Sequence, residues 1–224
     1  MSRLCLLLVS ACFSLLSIAQ ASPTTRAPNN ASAGDELIRP IQERWAEIKY
    51  RHPAKQHADL YHDLASKARQ VSQNHPNTAA ALIWEGIVVS SEAGAKGGLG
   101  GLSLAKDAKA LLEESLKLDE KALNGSAYTS LATLYAKVPG WPLGFGDKKK
   151  AEELFQKSLA ANPDGIDPNY FYGEYLIEQD RVAQGRIHLE KALKAPARPG
   201  RELADQGRRQ EIQALLNKTA EASR

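Results

Sequence analysis

Residues 128–163, YTSLATLYAKVPGWPLGFGDKKKAEELFQKSLAANP, decide the fold. Tyr128, Leu131, Ala132 and Tyr135 recur at three- and four-residue steps, which puts them on one face of a helix. Ala151, Phe155 and Ser158 do the same on a second helix, which Pro163 closes. The two runs read Tyr-x2-Leu-Ala-x2-Tyr and Ala-x3-Phe-x2-Ser-x4-Pro. A small residue in each, Ala132 or Ala151, allows the helices to approach closely, while Tyr128, Tyr135 and Phe155 fill the space around that contact.

The pattern repeats on both sides. Downstream, Gly173 and Leu176 mark a first helix, Gly185, Leu189 and Ala192 a second, and Pro196 the close. Upstream, Leu82, Glu85, Gly86 and Val89 precede Ala108, Leu112 and Ser115. Ala151 and Gly185 are 34 residues apart, Ala108 and Ala151 are 43 apart. The excess falls mainly in VPGWPLGFG, between Tyr135 and Ala151. The Gly-rich AGAKGGLGG between Val89 and Ala108 reads as the same kind of lengthened turn in the first copy. Helix pairs at a near-fixed period imply stacking, since no pair buries its apolar face alone.

These runs closely resemble the two halves of the tetratricopeptide repeat, and 34 residues is that family's period. The resemblance covers about residues 76–197 as three repeat-like units and implies an all-α, helical-hairpin solenoid with a C-terminal capping helix. Residues 35–75 read as a degenerate N-terminal pair. Leu37, Ile38, Ile41, Trp45 and Ile48 share one helical face before His52-Pro53, and Leu60, Leu64, Ala68 and Val71 share another before Asn74-His75-Pro76. In residues 198–224 a closing helix is expected from about Arg201 to Glu221, with Leu203, Ile212, Leu215 and Leu216 inward and Arg208, Arg209, Glu211 and Lys218 in water. The two inserted turns are also similar to those of exported bacterial tetratricopeptide proteins, including the T-component associated with tripartite ATP-independent periplasmic (TRAP) transporters.

The N-terminus carries an export signature. Arg3 supplies a positive start, Leu4 to Leu16 an apolar stretch, and Ala19-Gln20-Ala21 a small-x-small cleavage site, so residues 1–21 read as a signal peptide cleaved after Ala21. Val9-Ser10-Ala11-Cys12 fits a lipoprotein signal more loosely. Residues 22–34, rich in Ser, Thr, Pro, Asn and Ala, read as a flexible lead-in. Both cysteines, Cys5 and Cys12, fall within the signal, so the exported chain would rely on core burial without disulfides. The expected location is periplasmic or secreted.

Composition and motifs argue for binding over catalysis. The 224 residues hold 29 Lys and Arg against 26 Asp and Glu, a formal charge of +3 that is too small and too evenly spread for a nucleic-acid footprint. Gly97-Gly98-Leu99-Gly100-Gly101 with Ser103 and Lys106 lacks the Gly-Lys-Ser/Thr spacing of a phosphate loop. His57 and His62 are five apart and no HExxH exists, so His52, His57, His62, His75 and His188 read as solvated or capping. No nucleophile elbow is visible. No enzyme activity, cofactor or metal is expected.

The resemblance places the first helix of each pair on a concave surface. That groove would carry Trp84, Ile87, Ser91, Thr129, Thr133, Lys137, Tyr170, Glu174, Ile177 and Glu178, a mixed aromatic and charged lining suited to a peptide. Tyr170, Phe171, Tyr172 and Tyr175 cannot all face it, so some belong to the core. Two prolines and three glycines make 138–147 an irregular loop, in which Trp141 and Phe145 either fold back as a plug or act as a ligand clamp, with Asp147 as the cap of the next helix. The functional expectation is an exported, non-enzymatic scaffold or adaptor that binds a protein or peptide. The alternative is a transporter-associated binder of small ligands, with the Trp141 loop over a pocket. Oligomeric state is left open.

Overall fold

The computed structural model describes residues 33–221, so the expected signal peptide, Cys5, Cys12 and most of the expected lead-in lie outside the described residues. Within them the regular elements are helical. In chain order they are α1 (Ala33–Arg51), α2 (His57–Asn74), α3 (Ala79–Lys96), α4 (Gly98–Leu118), α5 (Ser126–Lys137), α6 (Lys148–Ala161), α7 (Ile166–Glu178), α8 (Val182–Leu193) and α9 (Glu202–Glu221). Prolines punctuate them as expected: Pro53, Pro76, Pro139, Pro163 and Pro196 each follow a helix end by one to three residues. Two prolines lie inside helices: Pro168 in the first turn of α7, where its missing N–H costs no helix bond, and Pro40 within α1 at an exposed position where the ring meets water.

Consecutive helices pair as antiparallel hairpins, and close approaches at small residues show it. A Cβ at Gly86 on α3 would lie 2.8 Å from Leu112 on α4, and one at Gly101 would lie 2.6 Å from the Ala93 carbonyl oxygen. Gly173 and Gly185 bring α7 and α8 together so tightly that a Cβ on Gly185 would sit 2.6 Å from the Gly173 carbonyl oxygen. Between α5 and α6 the contact is polar: the hydroxyls of Thr129 and Ser158 are 2.5 Å apart.

The small-x3-large spacing of the second helices has a counterpart in burial. Leu112, Phe155 and Leu189 occupy equivalent places and are at most 1% exposed; three residues on, Ser115, Ser158 and Ala192 are fully buried. Each large side chain removed from water in this way contributes about 1.5–3 kcal/mol before the entropy of ordering it is counted. Tyr172 and Tyr175 belong to the core, their rings 5.5 and 5.3 Å from that of Phe155. The apolar core runs as one cluster from α1 to α7 and a second joining α7, α8 and α9, with α7 contributing to both.

Two expectations need correction. The Gly-rich stretch is not a long turn. Its residues extend α3 to Lys96 and start α4 at Gly98, leaving Gly97, at φ +63°, as the connection. The missing side chains favour this: Gly101 lets α4 cross against the α3 backbone, where any Cβ would collide. The second correction concerns α9, where Arg208 is buried at 5% exposure instead of facing water. It is buried because a carboxylate and two aromatic rings of α7, with Glu211 of its own helix, receive it.

Candidate functional site

The first helices of the hairpins touch in order, α1 on α3, α3 on α5 and α5 on α7. α9 packs on α7 and α8 and also reaches α1, so that α1, α3, α5, α7 and α9 form a closed circuit of contacts. Gly207 makes the return possible, since a Cβ there would lie 2.3 Å from the Tyr50 ring on α1. The groove expected along the first helices is therefore partly filled by the chain's own last helix.

Charge holds α9 in place. The Arg208 Nε donates to Asp167 Oδ1 on α7 at 3.0 Å, and a second nitrogen donates to Glu211 Oε2 at 2.7 Å. Its guanidinium lies 4.3 Å from the Tyr170 ring centroid and 4.6 Å from that of Phe171, the geometry of a cation over aromatic faces. Arg198 donates to Asp167 Oδ2 at 2.6 Å and to Asp205 Oδ1 at 2.7 Å. The Tyr50 hydroxyl donates to Glu211 at 3.2 Å. Burial alone would raise the Asp167 pKa, but Arg198 and Arg208 outweigh it and hold that carboxyl well below the usual carboxylate range.

Arg201 behaves differently. Its guanidinium lies 4.9 Å from the Trp84 ring centroid, while its Nε is buried without a hydrogen-bond partner. Burial, reinforced by the positive charge of Arg198, lowers its pKa to about 10. Beside it, the Trp45 indole donates to the Ser91 hydroxyl at 2.8 Å and stands edge-on to Trp84 at 6.2 Å. The arrangement is an aromatic floor with a cation whose hydrogen-bonding capacity is incompletely used.

The residues expected to line a groove separate into three groups. Trp84 is buried beneath Arg201, just before α9, and Tyr170 beneath Arg208 on α9, while Thr129 is buried inside the α5–α6 hairpin. Thr133, Lys137, Glu174 and Glu178 form an accessible edge where α5 meets α7. There Lys137 Nζ is 3.1 Å from Glu174 and also pairs with Glu178, and Thr133 donates to the Thr129 carbonyl at 2.9 Å. Burial would lower the Lys137 pKa, but the two glutamates outweigh it and raise it. Ile87, Ser91 and Ile177 are half-buried. A hydrogen bond of 3.5 Å from the Tyr170 hydroxyl to Glu174 joins the covered and open parts.

Trp141 stands apart from the groove, 90% exposed. Phe145 folds back, its ring edge-on to Tyr135 at 5.4 Å, and Asp147 caps α6 by accepting from the Lys150 amide at 3.0 Å. The loop is thus neither a plug nor a cover over a pocket: its root is packed and its tip projects into solvent.

Arg198, Arg201, Arg208 and Asp167 were not among the residues singled out for the groove. Arg201 and Arg208 are seven apart, a spacing that shares one helical face, and this was the available signal. Two more buried carboxylates, Glu85 and Glu92, share that spacing on α3. They accept from Ser72 at 2.5 Å and pair with His62 at 3.0 Å, so both serve the α2–α3 junction. A separate cleft of about 530 Å³ opens beside the start of α1 and is lined by Asp35, Thr78, Asp119 and Asn124, none of them an expected site residue. No group of three His, Cys, Asp or Glu residues able to hold a metal occurs among the described residues. No protein-family model matches the chain, and no curated protein matches it.

Proposed function

We propose that the protein is an exported, non-enzymatic adaptor of tetratricopeptide type that binds an extended peptide or protein segment along the face shared by α3, α5, α7 and α9. The carrying observation is Arg201, a cation over Trp84 with a buried, unpartnered Nε. Burying a charged group without full partners is unfavourable, and a ligand carboxylate beside the guanidinium would offset that cost by charge pairing. The accessible Lys137, Glu174 and Glu178 edge then gives an extended ligand a second, polar point of attachment. A small organic acid would satisfy Arg201 alone. The polar edge beyond it favours the longer ligand.

Panning a displayed peptide library on the folded chain tests this reading. Acidic peptides are expected to enrich on the wild type and to be lost on Arg201→Gln, with weaker binding when Lys137 and Glu174 are also replaced. Enrichment that is identical on the wild type and on Arg201→Gln would reject the Arg201 site. Export is checked separately by the N-terminal sequence and intact mass of the protein recovered outside the cytoplasm. A start at Ser22 supports the cleaved signal, and a lipid-modified start at Cys12 overturns it.

A further inference from the structure

The three most exposed large apolar side chains among the described residues are Trp141 at 90%, Leu99 at 85% and Leu143 at 70%. They gather at one corner. A Cβ at Gly144 would lie 3.2 Å from Leu102 on α4, so the loop rests on the first turns of that helix, and Leu99 is one turn before Leu102 on the same face. The first helix pair thus uses its additional residues to build helical turns against which the loop of the second pair leans.

The loop is locked in shape. A Cβ at Gly146 would lie 1.8 Å from the Val138 carbonyl oxygen, and one at Gly144 would lie 2.5 Å from that of Pro139. The Gly146 amide donates to the Pro139 carbonyl at 2.9 Å and the Asp147 amide to that of Tyr135 at 2.9 Å. Phe145 anchors the root on Tyr135, with Lys109 Nζ 5.8 Å from both ring centroids. Trp141, Pro142 and Leu143 therefore project as a rigid convex tip. The ordering entropy that a flexible loop loses on docking is already absent from its free state.

Basic residues surround the tip's base. Lys148 and Lys149 follow it directly, and Lys96 and Lys106 flank it on α3 and α4; all are exposed, and none forms an ion pair among the described residues. Asp147 is engaged as the α6 cap, leaving Asp107 as the exposed carboxylate on this part of α4. The lysines at α6's first turn oppose the helix dipole, so their positions do not serve helix stability.

We propose that this corner docks on an anionic lipid surface, with Trp141 and Leu143 entering the headgroup region and the lysines facing anionic headgroups. Three side chains on a convex tip bury far less than the roughly 1,000 Å² that a stable protein interface needs. The same groups suit a bilayer interface, where tryptophan is favoured and each lysine near an anionic surface adds attraction. The inference is independent of the Arg201 site, with which it shares no residue.

Vesicle co-sedimentation of the whole chain tests it, using phosphatidylcholine alone or with about one third phosphatidylglycerol at low salt. Binding is expected to the anionic vesicles and to fall with added salt. Trp141→Ala/Leu143→Ala should weaken it roughly tenfold or more, and Lys148→Glu/Lys149→Glu should weaken it too, both with unchanged helical circular dichroism. Failure of the wild type to sediment with anionic vesicles would overturn the proposal, as would equal sedimentation of the wild type and both variants. A wild-type dimer that Trp141→Ala/Leu143→Ala converts to monomer would assign the tip to a second copy of the chain and reject the lipid assignment.

Discussion

Arg208 on α9 donates to Asp167 on α7 at 3.0 Å while its guanidinium covers the Tyr170 ring at 4.3 Å, so one side chain joins the last helix to the preceding hairpin by charge and by stacking. Asp167 also receives Arg198 at 2.6 Å and does not become wholly unpaired when Arg208 is removed. Arg208→Ala is expected to cost about 3 kcal/mol, the lower part of the range for breaking a buried pair. Urea denaturation measures it. A loss below about 1 kcal/mol would mean that α9 is held by its apolar side instead.

Acid should loosen the same junction. The Asp167 pKa is depressed in the folded protein, so its contribution is fully present above the unfolded carboxyl pKa of about 4. It is lost progressively as pH falls below that value toward the folded pKa. Asp167→Asn removes this term, so the variant should be less stable than the wild type at neutral pH, with the difference shrinking as pH is lowered below about 4. Parallel pH–stability curves for the two proteins would refute the assignment.

Much of the helical scaffold was legible because the packing residues recur. Ala108, Ala151 and Gly185 begin the same small-x3-large spacing three times, and helical periodicity follows from such spacing directly. Gly97 to Gly101 misled because glycine marks both turns and close helix crossings; which applies depends on the Ala93 carbonyl opposite, a partner invisible in a local reading. Arg208 misled for a related reason. On a helix with few large apolar residues its charge signalled solvent, whereas Asp167, Tyr170 and Glu211 receive it. The groove residues rested on the face that the tetratricopeptide resemblance implied, and nothing in their own spacing showed that α9 would lie over part of them.

The unpartnered Nε of Arg201 makes a prediction of opposite sign to that for Arg208. With the pKa lowered to about 10 by burial and by Arg198, charged Arg201 is disfavoured in the folded state at neutral pH, a penalty relieved only as pH rises through about 10. Arg201→Met keeps the length over Trp84 and removes the charge, so it should stabilise the ligand-free protein by about 1 kcal/mol. The same substitution should abolish enrichment of acidic peptides. Stabilisation with peptide binding intact would reject the binding role.

Gly185→Ala sets helix propensity against packing. In an isolated helix alanine is favoured by about 1 kcal/mol. Here the added Cβ would lie 2.6 Å from both the Gly173 carbonyl oxygen and Ile177 Cγ1, and backbone on one side cannot yield as a side-chain end does. Overpacking of this kind costs about 1–3 kcal/mol, so a net loss of stability is expected in thermal denaturation. A raised melting temperature would mean that α7 and α8 separate without penalty.

Lys148 and Lys149 occupy the first turn of α6, where the helix N-terminus is positive and acidic residues are favoured. Reversing both charges should therefore raise stability, by about 1 kcal/mol for the pair. If these lysines serve the lipid-facing tip, the same reversal weakens sedimentation with anionic vesicles. Thermal stability and vesicle binding must then move in opposite directions in Lys148→Glu/Lys149→Glu. Trp141→Ala/Leu143→Ala supplies the contrast, because side chains 90% and 70% exposed contribute little to the fold and their loss should reduce binding with the melting temperature nearly unchanged. A Lys148→Glu/Lys149→Glu protein that is more stable and still binds anionic vesicles at wild-type strength would dissociate the lysines from the docking surface.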